Sequence, residues 1–143
     1  MSTIEIARKR YIGGRENPLV IRYIVFRTPL GSIFIHKLCR SDYERALHDH
    51  PWPFISIVLR GEYWEVLQDD SLNHRKRWSA AYRPCLFRHR VITKKPCWTL
   101  MLVGPRQRKW GFWIDGDKFC WWRRHNPELN ICEDHIVHEG GND

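Results

Sequence analysis

A chain of 143 residues with 43% apolar side chains and eight tryptophans is sized for one domain around one core, and it is too apolar to stay disordered. Its net charge of +8 favours anionic partners, whether phosphates, carboxylates or nucleic acid. No stretch reaches the roughly 18 consecutive apolar residues of a membrane-spanning helix, and the first residues lack the apolar core of a secretion signal, so a cytoplasmic location is expected. Five cysteines (Cys39, Cys85, Cys97, Cys120, Cys132) show no metal-knuckle spacing. An odd count without a secretion signal predicts free, mostly buried thiols.

In chain order, residues 4–11 read as a short helix. From Leu19 to Trp113 the chain is a series of short β-prone runs, expected at 20–26, 32–38, 54–59, 62–67, 75–82, 85–88, 98–103 and 110–114. Pro29 and Gly31, Gly61, the Asp69–Asp70–Asn73 cluster, Gly104–Pro105 and Gly116–Asp117 supply the turns between them. This rhythm predicts an all-β sandwich or barrel with its core over residues 19–114. Residues 123–143 form a polar C-terminal extension of the same domain.

The densest chemistry lies in Leu47-His48-Asp49-His50-Pro51-Trp52. On an extended strand, residues two apart project to one face, so His48 and His50 would aim both imidazoles at one point. Pro51 and Pro53 cannot donate to a central ladder, which places this piece at a strand start or barrel mouth. Asp49 should point to the opposite face and orient another group from behind the ligands. A third imidazole, His89, follows Pro84 by five residues at the head of a later run.

These residues carry a resemblance. The span 48–61 resembles the first cupin motif, in which His-x-His is followed by a Glu ligand and then a Gly; here Phe54 stands at the Glu position and Gly61 at the Gly. Pro84 and His89 resemble the second motif, with Leu86 and Thr93 in place of its Gly and Asn. The resemblance implies a cupin-type double-stranded β-helix, an RmlC-like jelly roll, with short terminal extensions. It implies one divalent ion on His48, His50 and His89, a three-histidine set similar to that of the thiol dioxygenases of the superfamily. Iron is then the first expectation, with zinc, nickel or manganese as alternatives, because three neutral imidazoles leave the ion its charge and open positions. Many cupin-like barrels pair, which implies a homodimer. The chain is also similar to small cupin-like proteins of bacteria and their phages.

Around the site, alternation puts Trp52, Phe54, Ser56 and Val58 on one face and Ile55, Ile57 and Leu59 on the other. Trp64, Tyr82, Phe87, Trp98, Leu100 and Leu102 are candidates for cavity walls. Among arginines near the motif strands (Arg60, Arg88, Arg90, Arg106), a guanidinium at the barrel mouth would clamp an anionic substrate. The expected assignments are Tyr82 and Arg88 as catalytic groups, with Arg60, Trp52, Trp64, Arg90 and Trp98 binding substrate. A second cluster, His125, Cys132, His135 and His138, has the residue types of a zinc site. Arg106, Arg108, Lys109, Trp110, Phe112, Trp113, Trp121, Trp122, Arg123 and Arg124 interleave charge with aromatics, as single-strand nucleic-acid binders do, although alternation favours burial. Two functions follow: a metal-dependent enzyme, dioxygenase-like if the ion is iron, or a non-catalytic module for an anionic ligand, nucleic acid or protein.

Overall fold

The computed structural model describes residues 4–42, 46–114 and 118–135. Its strands are Glu5–Ile12 (β1), Val20–Thr28 (β2), Gly31–Leu38 (β3), Leu47–His48 (β4), Phe54–Arg60 (β5), Tyr63–Val66 (β6) and Leu72–Arg75 (β7). Then come Ala80–Arg83 (β8), Arg90–Ile92 (β9), Cys97–Val103 (β10), Gly111–Ile114 (β11), Lys118–Trp121 (β12), His125–Asn126 (β13) and Ile131–Cys132 (β14). Single 3-10 turns occupy Trp122–Arg124 and Glu133–His135. No helix among the described residues is long and apolar enough to cross a membrane.

Six strands form one antiparallel sheet in the order β1-β2-β3-β10-β5-β8. Period-2 burial drives it: β3 buries Ser32, Phe34, His36 and Leu38, and β10 buries Cys97, Thr99, Met101 and Val103. On β5 the buried set is Phe54, Ser56 and Val58, so of the two faces open to sequence reasoning, the one continuing from Trp52 is internal. Ile24, Phe34, Trp52, Phe54, Met101 and Val103 pack into the main core.

The other layer is made of two three-stranded pieces, β7-β6-β9 and β12-β11-β4. A single antiparallel bridge between His48 and His89 joins them. Tyr63 of β6 packs with Leu38, Val58 and Cys97 of the large sheet, closing the barrel around the space into which both histidines project.

Three expectations need correction. Residues 4–11 are strand, not helix: the open edge of β2 offers a full antiparallel partner, and main-chain pairing along it outweighs the short helical stripe of Ile4, Ala7 and Tyr11. The run 75–82 is broken by a turn at Lys76–Ser79, with Trp78 at φ 68°, so β7 and β8 serve different sheets. Residues 85–88 form no strand; Phe87 N–H bonds back to the Pro84 carbonyl at 3.0 Å, and pairing resumes with the His89 bridge and then β9 from Arg90.

The cysteine expectation also fails in part. Cys120 and Cys132 are joined in a disulfide, while Cys39, Cys85 and Cys97 are free. The two lie 12 positions apart, and the hairpin of β13 and β14 turns the chain back so that they meet. Both are buried with Ala46, Phe112 and Ile114, so the link holds the C-terminal segment against β11.

Candidate metal centre

His48 and His89 face each other across the bridge, exchanging both main-chain hydrogen bonds: His48 N–H to His89 O at 3.0 Å and His89 N–H to His48 O at 3.1 Å. Directly opposed residues put their side chains on one face of the sheet. His50, two residues on, joins the same face, with its main-chain N–H held by the Cys85 carbonyl at 3.1 Å. The ring centroids lie 4.8 Å (His48 to His89), 5.1 Å (His50 to His89) and 5.4 Å (His48 to His50) apart. One nitrogen from each ring fits within a 4.8 Å span, the arrangement of a facial three-imidazole ligand set.

Carboxylates stand behind two of these rings. His89 Nδ1 lies 2.5 Å from Glu65 Oε2, and His48 Nδ1 lies 3.5 Å from Asp42 Oδ2, which also accepts the Val91 N–H at 2.8 Å. An ionised carboxylate only accepts, so His89 Nδ1 carries the proton in its bond to Glu65 and leaves the Nε2 lone pair free, while Asp42 stands near His48 without a hydrogen bond to it. Carboxylate–histidine pairs of this kind fix the tautomer and orientation of metal-binding imidazoles. His50 Nδ1 is buried without a hydrogen-bond partner. The donors therefore fit a divalent ion.

Glu65 was not legible as part of the site. It is fully buried and also accepts from Asn73 Nδ2 at 2.9 Å and an Arg83 N–H at 2.5 Å, with Arg75 3.9 Å away. Burial pushes its carboxyl up, but the hydrogen bonds from His89 and Asn73 and the charge of Arg83 overcome that and hold it down at about 2.

Burial pushes His48 down to about 4 against the pull of Asp42, and drives His50 well below its ordinary value, helped by the neighbouring imidazoles. Neutral rings are what a metal requires, so protons compete poorly for the site. The linkage has a definite sign. Unfolded His48 binds its proton near pH 6.5 and folded His48 only near 4, so stability is complete above about 6.5 and falls as the pH drops through that window. Metal-free protein should lose roughly 3 kcal/mol through His48 between pH 7 and 4, with further loss as Glu65 protonates between about 4.5 and 2. Urea unfolding of the apo protein at several pH values measures this. A flat profile from pH 7 to 4.5 would contradict the burial of neutral imidazoles.

No family profile and no curated protein matches the chain. Solved structures do. The polyketide cyclase RemF from Streptomyces resistomycificus superposes with a TM-score of 0.62 at 13% identity, over 78% of this chain and 83% of that one. A cupin-2 domain protein from Rhodospirillum rubrum gives 0.59 at 12% identity, over 81% and 78%. An RmlC-like cupin from Shewanella frigidimarina gives 0.56 at 15%, over 71% and 86%. The chain has the cupin fold. The three histidines that cluster in this barrel are the ones the two short motifs single out, and Phe54, at the position where the first motif has its Glu, packs in the core.

The cupin barrel separates the remaining expected site residues. Trp52 is internal, stacked on His50 with centroids 6.0 Å apart. Phe87 sits 5.5 Å from His89, with the Arg83 guanidinium 4.0 Å from its centroid. Arg88 lies 3.8 Å over Trp113, and Arg90 is half-buried opposite Val66. Tyr82, Trp64, Trp98 and Arg60 are corrected: all four take the outer face. Tyr82 is 63% exposed opposite Ile55, and Trp98 stacks on Tyr23 at 5.7 Å, opposite exposed Arg60. Leu102 is likewise outward-facing. Trp64 stacks on His74 at 4.1 Å outside the barrel, because the alternate residues Tyr63 and Glu65 take the inside.

Asp49 is outside the histidine cluster and clamps β11: Gly111 N–H (2.8 Å), Trp113 Nε1 (3.0 Å) and Arg108 all donate to it. The second zinc cluster is not supported. Cys132 is in the disulfide, and His125 stacks on Phe112 at 4.3 Å and bonds Asn130 at 3.0 Å. The side chain of His135 and all of His138 lie outside the described residues. The basic and aromatic residues of this region largely pair with one another, Lys109 and Arg123 over Trp121 and Trp110 on Trp122.

Proposed function

We propose that this cupin is a metal-dependent enzyme acting on an anionic small molecule, with His48, His50 and His89 holding one divalent ion. The observation that carries the proposal is the pairing of three clustered imidazoles with carboxylates behind two of them. A merely structural trio of histidines would not need to be gathered on one face with a buried carboxylate bonded to one ring and a second carboxylate beside another. Ferrous iron, which the three-histidine set suits, would supply redox and oxygen chemistry as in a dioxygenase, and zinc, nickel or manganese would supply a Lewis acid. The chain's own part is to hold the three rings, keep His48 and His50 neutral by burial and exclude bulk water with Trp52, Phe54 and Phe87. The net charge of +8 supports an anionic substrate.

Elemental analysis of purified protein tests this, with His48→Ala and His89→Ala beside wild type and circular dichroism as the control for folding. About one equivalent of metal per chain, lost from both folded variants, is expected. Iron would direct assays to oxygen consumption with anionic thiols and acids. A folded wild type that takes up no metal after reconstitution would overturn the proposal and leave a non-catalytic binding barrel.

A further inference from the structure

Outside the histidine cluster, a cavity of about 340 Å³ opens where β1, the β2–β3 turn and the segment after β10 meet. Its wall carries Arg10, Arg27 and Arg106 against one carboxylate, Glu5. Glu5 is nearly buried, hydrogen-bonds Arg10 and lies 3.6 Å from Arg27. Arg106 makes no ion pair among the described residues. Behind the wall lies a fourth guanidinium, Arg22, 4.6 Å from the Phe34 centroid and 5.8 Å from that of Trp52. Its Nε donates to the neutral ring of His36 at 2.9 Å and not to an acid. Burial, with the charges of Arg27 and Arg10, pushes Arg22 down to about 10. Four clustered cations, of which Arg22 is the one desolvated by burial, with a single counter-ion leave a local surplus of positive potential.

We propose that this cavity binds the oxyanion head of a small molecule, with Arg27 and Arg106 as donors and Glu5 as the internal counter-charge that the ligand competes with. Guanidinium forks match the geometry of carboxylate, sulfate and phosphate oxygens. The volume is at the small end of ligand pockets, which fits a compact anion and excludes an extended polymer. Trp52 belongs to this wall and also stacks on His50, so a bound anion would sit one ring away from the histidine cluster. None of the donors belongs to that cluster, so the site stands or falls independently of the metal.

The test is calorimetric titration of metal-free protein with inorganic phosphate, sulfate and malonate, each at an ionic strength held constant with sodium chloride. Saturable binding of at least one anion is expected, weakened about tenfold or more by Arg27→Ala or Arg106→Ala. Glu5→Gln should act in the opposite direction, tightening binding several-fold by removing the competing carboxylate, a gain that a folding defect does not produce. A preference for phosphate or sulfate over malonate would assign a phosphoryl or sulfuryl head, and the reverse a carboxylate. No saturable heat with any of the three, arginine variants that bind like wild type, or a Glu5→Gln variant that binds no more tightly would each overturn the proposal.

Discussion

Glu65→Ala should lower the stability of the protein by about 3–5 kcal/mol, a fall in Tm on the order of 10 °C, and should weaken metal binding by about 10- to 100-fold. The carboxylate is fully buried and is the shared acceptor for His89, Arg83 and Asn73, with Arg75 also nearby. Removing it leaves buried positive charge and donors without an acceptor, which costs more than the intact network contributes. It also frees His89 Nδ1, so the ring loses the contact that fixes which nitrogen faces the interior. Glu65→Gln separates the two effects. It keeps the shape and one acceptor oxygen, so it should recover part of the stability while still binding metal more weakly than wild type. Differential scanning calorimetry with metal titration reads both. A Glu65→Ala protein that melts and binds metal like wild type would show that the His89–Glu65 contact has no role.

Gly111→Ala should destabilise the fold by about 3 kcal/mol or more and reduce metal occupancy, although Gly111 touches none of the three histidines. A Cβ at this position would lie 2.0 Å from the Cys120 carbonyl oxygen and 2.8 Å from its carbon, a main-chain obstacle with no rotamer to relieve it. The glycine cannot retreat, because Asp49 holds it on the other side: Gly111 N–H donates to Asp49 Oδ1 at 2.8 Å, and its carbonyl accepts the Asp49 N–H at 3.0 Å. Strain is therefore passed to Asp49, the residue between two of the ligands, and to β4, which carries His48 and pairs with β11. Chemical unfolding and metal content of the variant check this. Unchanged stability would mean that β12 is free to move away. A Cys120→Ser control, which breaks the disulfide without the clash, distinguishes loss of the C-terminal staple from distortion at Asp49.

What the sequence determined by itself is local. Alternating burial in 32–38, 54–59 and 98–103 specifies the central strands, because a period of two leaves one face for a core. The His-x-His spacing places two imidazoles on one side by the same geometry, and the resemblance of Pro84 and His89 to the second cupin motif pointed to the third imidazole of the cluster. These features depend on neighbours in the chain, and residue types alone express them. The tertiary structure decided everything that depends on distant partners. Which alternating set of 63–66 lies inside was set by Arg83, Asn73 and His89 satisfying Glu65, against the hydrophobic preference that would have buried Trp64 and left Glu65 in water. Residues 4–11 became a strand because β2 had an edge to cover, Tyr82 faces outward because its register opposes Ile55, and Cys120 meets Cys132 because the β13–β14 hairpin turns the chain back against Phe112 and Ile114. The arginines around the second cavity come from β1, β2 and the segment after β10. Only closure of the barrel brings their charges together, since Arg10 and Arg27 carried no signal in the sequence and Arg106 only its place near the motif strands.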